Sequence, residues 1–407
     1  MSCNNKSASQ ETSTQEKFKE LTPVDILGNP ACQAISFGGY RDTTREIQPT
    51  VAQLKEDMKI LHAMGIRIVR TYHTKRPHAK NVLKAIRELK TENPAFEMYA
   101  MVGIWIDCKD AWTDHPDHEG EEAEENAAEV QRAIEMAREF PDIVKVLAVG
   151  NEAMVKWAAS YYVQPAVILK YVNQLQLMKS QGELSPDLWV TCSDNFASWG
   201  GGGDEYHNED LNKLIRAVDY VSLHTYPMHD THYNPDFWGN EEGEMTMSDS
   251  ARIAAAMLRA RDYAIKQYQN TVAYIRGVDK FTPVHIGETG WASYSDGFYG
   301  ADGSKACDEY KEGLYHTLIR EWCDKNRISC FYFEAFDEPW KGGTSPGDSE
   351  KHFGLFDVDG RAKYALWDLV DKGVFDGLSR GGNPIVKTFG GNKDSLMRTV
   401  ALPPLKK

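Results

Sequence analysis

Basic residues are scarce in this chain: Lys and Arg total 46 against 60 Asp and Glu, a net charge of -14. A surface that negative repels phosphate backbones and anionic lipid, so nucleic acid is not an expected partner. A neutral polysaccharide is compatible with it. Long apolar runs are missing as well; none approaches the ~20 residues that cross a bilayer. Cysteine is sparse and unpatterned. The seven residues, Cys3, Cys32, Cys108, Cys192, Cys307, Cys323 and Cys330, include no Cys-x-x-Cys pair, and their odd number argues against a full disulfide framework. Cys192 and Cys330 fall inside expected strands and read as small buried apolar residues. The four glycines at 200–203 lack the Lys-Ser/Thr of a phosphate loop, so they are expected to let a loop lie flat beside a substrate.

What is present is a repeat of strand and helix. Short apolar segments occur at 34–39, 66–72, 97–106, 144–150, 188–193, 220–225, 284–288 and 328–336. Amphipathic helical patterns separate them at 50–64, 80–90, 121–140, 165–180, 210–217, 249–275, 306–325 and 362–372. Strands alternating with helices imply a parallel sheet, and eight such units imply an α/β fold: one closed (β/α)8 TIM barrel with the helices outside. Residues 1–20 read as a polar, flexible tether, 21–380 as the barrel and 381–407 as a C-terminal extension.

In such a barrel the active site forms at the carboxyl ends of the strands. Those ends carry Tyr40, Arg70, Trp105, Asn151-Glu152, Asp194, His224-Thr225-Tyr226, Glu288 and Phe336-Asp337-Glu338, so polar and aromatic residues collect at one rim. The long segments 109–124, 197–210 and 228–246 lie on the same side, and loops of that length in a compact domain usually serve function.

Two glutamates stand out. Glu152 ends 146–152 (Val-Leu-Ala-Val-Gly-Asn-Glu), and Glu288 sits in 283–291 (Pro-Val-His-Ile-Gly-Glu-Thr-Gly-Trp). Each follows an apolar run, so each sits at the mouth of the sheet rather than in its core. Splitting a glycosidic bond needs one carboxylic acid to protonate the departing oxygen and one carboxylate to trap the sugar carbon. Neighbouring carboxylates also push their proton affinities apart. Glu152 is expected as acid/base and Glu288 as nucleophile. Asn151 is placed to hydrogen-bond a sugar hydroxyl next to the reacting carbon, and Tyr226, on the adjacent strand, to hold Glu288 ionised. Trp291 and Trp340 are the first choices for stacking on sugar rings. The histidine groups at 114–119 and at His224, His229 and His232 lack a recognised zinc spacing, so no metal and no cofactor is expected.

These motifs together resemble glycoside hydrolase family 17, the retaining β-1,3-glucanases. The resemblance rests on Gly150-Asn151-Glu152, on Glu288-Thr289-Gly290-Trp291, on Phe336-Asp337-Glu338-Pro339-Trp340-Lys341, and on Glu350 before His352-Phe353-Gly354-Leu355-Phe356. It extends more weakly to Tyr40 and Arg70. It implies the same acid/base and nucleophile, and it adds Glu338, Lys341 and Glu350 as cleft residues that orient them. Plant members usually carry Pro where Ala292 stands and Asn where Pro339 stands, so the chain looks like a bacterial branch. The implied activity is retaining, endo-acting hydrolysis of a laminarin-type β-1,3-glucan by a monomer. Transglucosylation by the same two glutamates and non-catalytic glucan tethering at a cell surface are the rivals. Cys3 ahead of the polar tether resembles the start of a mature bacterial lipoprotein, which implies export and a lipid anchor in the periplasm or at the outer membrane or cell surface.

Overall fold

A computed structural model describes residues 20–406. Cys3 and nearly all of the expected tether lie outside the described residues.

Eight strands close into a barrel: β1 Gln33–Ser36, β2 Ile66–Arg70, β3 Tyr99–Ile104, β4 Val144–Asn151, β5 Trp189–Asn195, β6 Val221–His224, β7 Val284–Gly290 and β8 Cys330–Phe333. All eight neighbouring pairs run parallel, including β8 against β1. Every expected strand is present, because a strand buried on both faces shows as an unbroken apolar run. The helices α1 Val51–Ala63, α2 His78–Glu92, α3 Ala123–Glu139, α4 Pro165–Ser180, α5 Glu209–Ala217, α6 Asp249–Val278 and α7 Glu309–Asn326 fill seven of the crossovers. Local chemistry starts them. Thr50 and Gln53 form a capping box at α1: the threonine hydroxyl accepts from Gln53 N, and Gln53 Oε1 accepts from Thr50 N.

The apolar residues form two layers. Ala34, Ile68, Met101, Val146, Ala148, Tyr220 and Phe331 fill the barrel interior, closed below by Ile26 and Leu27 at the end of a short N-terminal helical turn. A larger cluster lies between sheet and helices, with Leu54, Leu83, Ile134, Leu175 and Ile319 among its buried members. Each such side chain contributes ~1.5–3 kcal/mol when fully buried.

Three expectations change. The eighth strand stops at Phe333 instead of 336, because the backbone of 334–336 turns to pair with 353–356: Glu334 N donates to Phe353 O, and Leu355 N to Glu334 O. The eighth helix shrinks to Trp367–Asp371, since Ala362 N is bonded to Val386 O and Lys363 N to Leu355 O. The glycines at 200–203 do not lie against the cleft. Gly200, at φ 89°, and Gly201 press the loop after β5 onto Tyr274 and Thr271 of α6, where a Cβ would overlap those side chains. The segment 109–124 also contains a hairpin, Cys108–Lys109 with Asp117–Glu121, and 228–246 begins with the helix Pro227–Tyr233.

The extension after 380 packs on the barrel rather than hanging free. Lys387 bridges Ala362, and Leu405 bridges Asn240.

Candidate active site

Register sets the site. His224 of β6 lies level with Glu288 of β7, and Asn151 of β4 lies level with Ser193 of β5. The ends of β2, β4, β5, β6 and β7 therefore present Arg70, Glu152, Ser193, His224 and Glu288 to one spot.

Glu288 is buried and held from three sides. Arg70 Nη1 donates to its Oε1 at 2.7 Å, the Tyr226 hydroxyl donates to its Oε2 at 2.7 Å, and His224 Nδ1 lies 3.6 Å from Oε2. Burial works against the ionised form. His224, the Arg70 guanidinium and the Tyr226 hydrogen bond outweigh it and hold the carboxyl below the ordinary carboxylate range. Arg70 binds through both terminal nitrogens: Nη1 also reaches Gly287 O at 2.8 Å, and Nη2 donates to Asn151 Oδ1 at 2.6 Å. That last bond leaves the Asn151 amide N–H groups to donate into the cleft.

Glu152 has the opposite environment. Burial, then the charges of Glu288 and Asp194, push its carboxyl well above the ordinary range. Its backbone is left-handed, at φ 47°, which costs a non-glycine residue ~1–3 kcal/mol and is typical of functional sites. Glu152 N bonded to Ser193 O at 3.0 Å and Met154 N bonded to Asp194 Oδ2 at 2.8 Å keep the turn in place. Burial raises Asp194 itself to about 6.

Between the two glutamates sits an imidazole that sequence reading did not assign to the site. His224 Nδ1 is 3.1 Å from Glu152 Oε1, and its Nε2 is 3.2 Å from Arg70 Nη1 and 2.8 Å from Ser193 Oγ. Arginine only donates, so Nε2 is the acceptor and Nδ1–H donates to Glu152. Burial pushes the ring down to about 3, so it is neutral at working pH. Its position two residues before Tyr226 was the available signal.

The other expected residues divide. Tyr40, Glu338, Trp340, Lys341 and Glu350 line the cleft, a volume of about 1300 Å³ open above the glutamates. Glu338 and Lys341 do not contact the pair. Glu338 Oε1 accepts from Tyr40 N at 3.0 Å, and Lys341 binds Glu338 and Glu334. They brace the β1 and β8 loops, and a Cβ at Gly38 would overlap the Glu338 carboxylate. Glu350 stands at the rim, 3.6 Å from His229. Trp340 lies under the Arg45 guanidinium, 4.2 Å from Cζ to the ring centre. Trp291 is the correction. It is 0% exposed, packs on Trp238 and Tyr315, and donates its indole N–H to Ala306 O, so it offers no face to a sugar. In the two histidine groups, His118 stacks on Tyr162 and His232 on Phe298.

The BtgE/BtgC glycoside hydrolase domain model matches residues 34–354, which spans all eight strands and the cleft residues through Glu350. The chain belongs to this family. A solved endo-laminarinase from Formosa is 64% identical and superposes with a TM-score of 0.94 over 95% of this chain and 98% of that one. A glucan 1,3-beta-glucosidase of Arthroderma benhamiae is 25% identical over 283 residues, covering 67% of this chain and 72% of that protein. A probable glucan endo-1,3-beta-glucosidase btgC of Aspergillus flavus is 24% identical over 381 residues, 89% of this chain but 48% of its own length. The chain thus spans about half of that btgC relative. A family 17 β-1,3-glucanosyltransferase of Rhizomucor miehei shares the fold at 20% identity and a TM-score of 0.56.

Proposed function

We propose that this protein is a retaining, endo-acting β-1,3-glucan hydrolase. The observation that carries the reading is the single imidazole nitrogen of His224, 3.1 Å from one glutamate and 3.6 Å from the other, in a site that holds Glu288 ionised and Glu152 protonated. Carboxylates that reach one nitrogen lie toward the short end of the separations found in glycosidases, ~5–5.5 Å in retaining and ~6.5–9.5 Å in inverting enzymes, which favours a covalent route.

In the first step Glu152 gives its proton to the glycosidic oxygen while Glu288 bonds to the anomeric carbon, and the leaving chain departs as an alcohol. In the second, Glu152, now ionised, takes a proton from water. The water oxygen bonds to the anomeric carbon, and the bond to Glu288 breaks. His224 Nδ1–H stabilises Glu152 in its ionised phase, and Arg70 keeps Glu288 from gaining a proton. An open cleft walled by Tyr40, Tyr72, Trp105, Phe196, Tyr226 and Trp340 suits internal attack on a chain of neutral sugars. The names of the similar proteins, endo-laminarinase and glucan endo-1,3-beta-glucosidase, supply the linkage.

Wild type and Glu288→Gln are incubated with linear β-1,3-gluco-oligosaccharides, and products are resolved over time. Shorter products from wild type alone, with the β-anomer first by proton NMR, support the reading. An initial α product or an active Glu288→Gln overturns it, and products longer than the substrate make it a transglucosylase. Export with lipid on Cys3 belongs to the same proposal, on the N-terminal sequence alone. Mass spectrometry of the membrane-extracted protein tests it, and an unmodified Cys3 rejects it.

A further inference from the structure

One wall of the cleft carries an aromatic ledge that the two-step reaction does not employ. Trp105 follows β3, Trp112 sits in the hairpin behind it, and Tyr161 comes from the segment after Glu152. The three rings form one cluster: Trp112 stacks on Tyr161 at 4.9 Å and 19°, and Trp105 lies tilted 5.1 Å from Tyr161 and 6.3 Å from Trp112. Both indole N–H groups donate to a single atom, Asp107 Oδ1, at 2.8 and 3.2 Å. The backbone is fastened to the same segment, with Trp112 N on Ser160 O at 2.8 Å and Cys108 N on Tyr161 O at 3.0 Å.

This construction works against Trp112's own preferences. Its side chain is large and apolar, yet it is 61% exposed, and its backbone is left-handed at φ 65°, as is that of Asp110 at φ 56°. A tryptophan that served only packing would turn inward and relax. Here the ring is backed on one side, pinned at its nitrogen and bare on the other, as a rigid flat surface for a ligand needs to be. Trp157, 63% exposed, lines the same cleft. Nucleobases also stack on such rings, but Asp114, Asp117 and Glu119 in this hairpin and the net charge of -14 repel a phosphate backbone. The apolar face of a neutral pyranose fits without that penalty.

We propose that Trp112, backed by Tyr161 and Trp105, binds glucosyl units on the leaving-group side of Glu152, and so also holds the acceptor whenever a sugar replaces water. The side follows from the chain, because the ledge rests on Ser160 and Tyr161, which continue from the acid that protonates the departing oxygen. The proposal rests on the glucan reading above.

The test compares wild type, Trp112→Ala and Trp112→Phe on a linear β-1,3-glucohexaose and on a nitrophenyl β-laminaribioside, which puts only the aryl group beyond Glu152. Trp112→Ala should lose about tenfold in kcat/KM on the hexaose and less than about twofold on the aryl glycoside, with Trp112→Phe recovering most of the loss. Equal losses on both substrates, or none on the hexaose, overturn the ledge. A separate binding titration of hexaose into Glu288→Gln, with and without Trp112→Ala, needs no turnover. Equal affinities there reject the ledge whatever the activity, whereas a wild type that binds hexaose through Trp112 but never cuts it rejects the reaction and not the ledge.

Discussion

Arg70 and Glu288 form a buried ion pair, Nη1 to Oε1 at 2.7 Å, in which the arginine is almost completely excluded from solvent and its second nitrogen is committed to Asn151. The pair links the end of β2 to the end of β7 across the barrel. It sets both the charge of the nucleophile and the orientation of its neighbour.

Arg70→Met should therefore lower kcat/KM by about 10³-fold, the scale seen when one preorganised electrostatic group is lost. It should also destabilise the fold by about 3–5 kcal/mol, because Glu288 stays buried without its cation. Glu288 is held low in the native enzyme, so activity is present above its pKa and lost as pH falls through it. Without Arg70 that acidic limb moves toward neutrality. Arg70→Lys restores charge but not the fork, and should recover the limb better than the rate. An unchanged acidic limb in Arg70→Met would show that Arg70 does not tune Glu288.

His224 donates to Glu152 at 3.1 Å and stands 3.6 Å from Glu288, so its removal should move both limbs of the pH profile in one direction. An N–H donor favours the ionised form of the carboxylate it faces. His224→Phe should raise the pKa of each glutamate, carry the acidic and basic limbs upward together, and lower kcat on the order of tenfold with less change in KM. A loss of rate with both limbs fixed would reduce His224 to packing.

Trp291 and Trp340 separate stability from binding. Trp291 is fully buried between Trp238 and Tyr315, so Trp291→Ala should cost about 3–5 kcal/mol in denaturant unfolding. Trp340 lines the cleft beneath Arg45, and Trp340→Ala should raise KM for oligosaccharides severalfold while moving the unfolding midpoint little. The reverse pattern would exchange their roles.

These two tryptophans also mark what the sequence could and could not reveal. The eight strands were legible because each is an apolar run that stops at a polar residue, and Glu152 and Glu288 were legible because they are those residues. Tyr226 followed from strand adjacency. Whether a tryptophan after a strand faces the cleft or the core depends on what packs there, and Trp291 meets Trp238 and Tyr315, which are distant in sequence. His224 hides for the same reason. Its partners Ser193 and Arg70 are 31 and 154 residues away, so a histidine at a strand end reads alike whether it bridges two carboxylates, binds metal or is merely buried. The C-terminal extension carried no sign that it returns to the loop after β6.

His316 offers a check on burial away from the cleft. It packs against Tyr332, its Nε2 has no hydrogen-bond partner among the described residues, and burial pushes it down to about 3. A histidine held neutral in the fold but free to ionise when unfolded contributes stability above pH ~6.5, and that contribution falls away as pH drops toward the folded value. At pH 5 it is reduced by about 2 kcal/mol relative to neutral pH. The stability difference between wild type and His316→Phe should therefore shift by about that amount, in favour of the variant, when unfolding is measured at pH 5 instead of 7.5. A difference independent of pH would mean that the ring is solvated.

Asn240 is the joint between the C-terminal segment and the cleft. It is buried. Its side-chain N–H donates to Pro403 O at 2.7 Å, its backbone N–H to Pro404 O at 2.7 Å, and its carbonyl accepts from Lys406 N at 2.8 Å. It ends the loop that begins with Tyr226, the ligand of Glu288, and continues through His229, Asp230 and Tyr233 along the cleft wall. A loop fastened at both ends keeps its aromatic residues in place without ordering them anew for each substrate, which lowers the entropy cost of binding. Asn240→Ala removes the side-chain bond and leaves Pro403 O buried without its donor, a loss of about 1–3 kcal/mol. The variant should unfold at lower denaturant, and KM for long oligosaccharides should rise while the pH limbs set by Glu152 and Glu288 stay in place. If stability falls but KM does not move, the C-terminal segment supports the barrel alone and the loop holds its shape unaided.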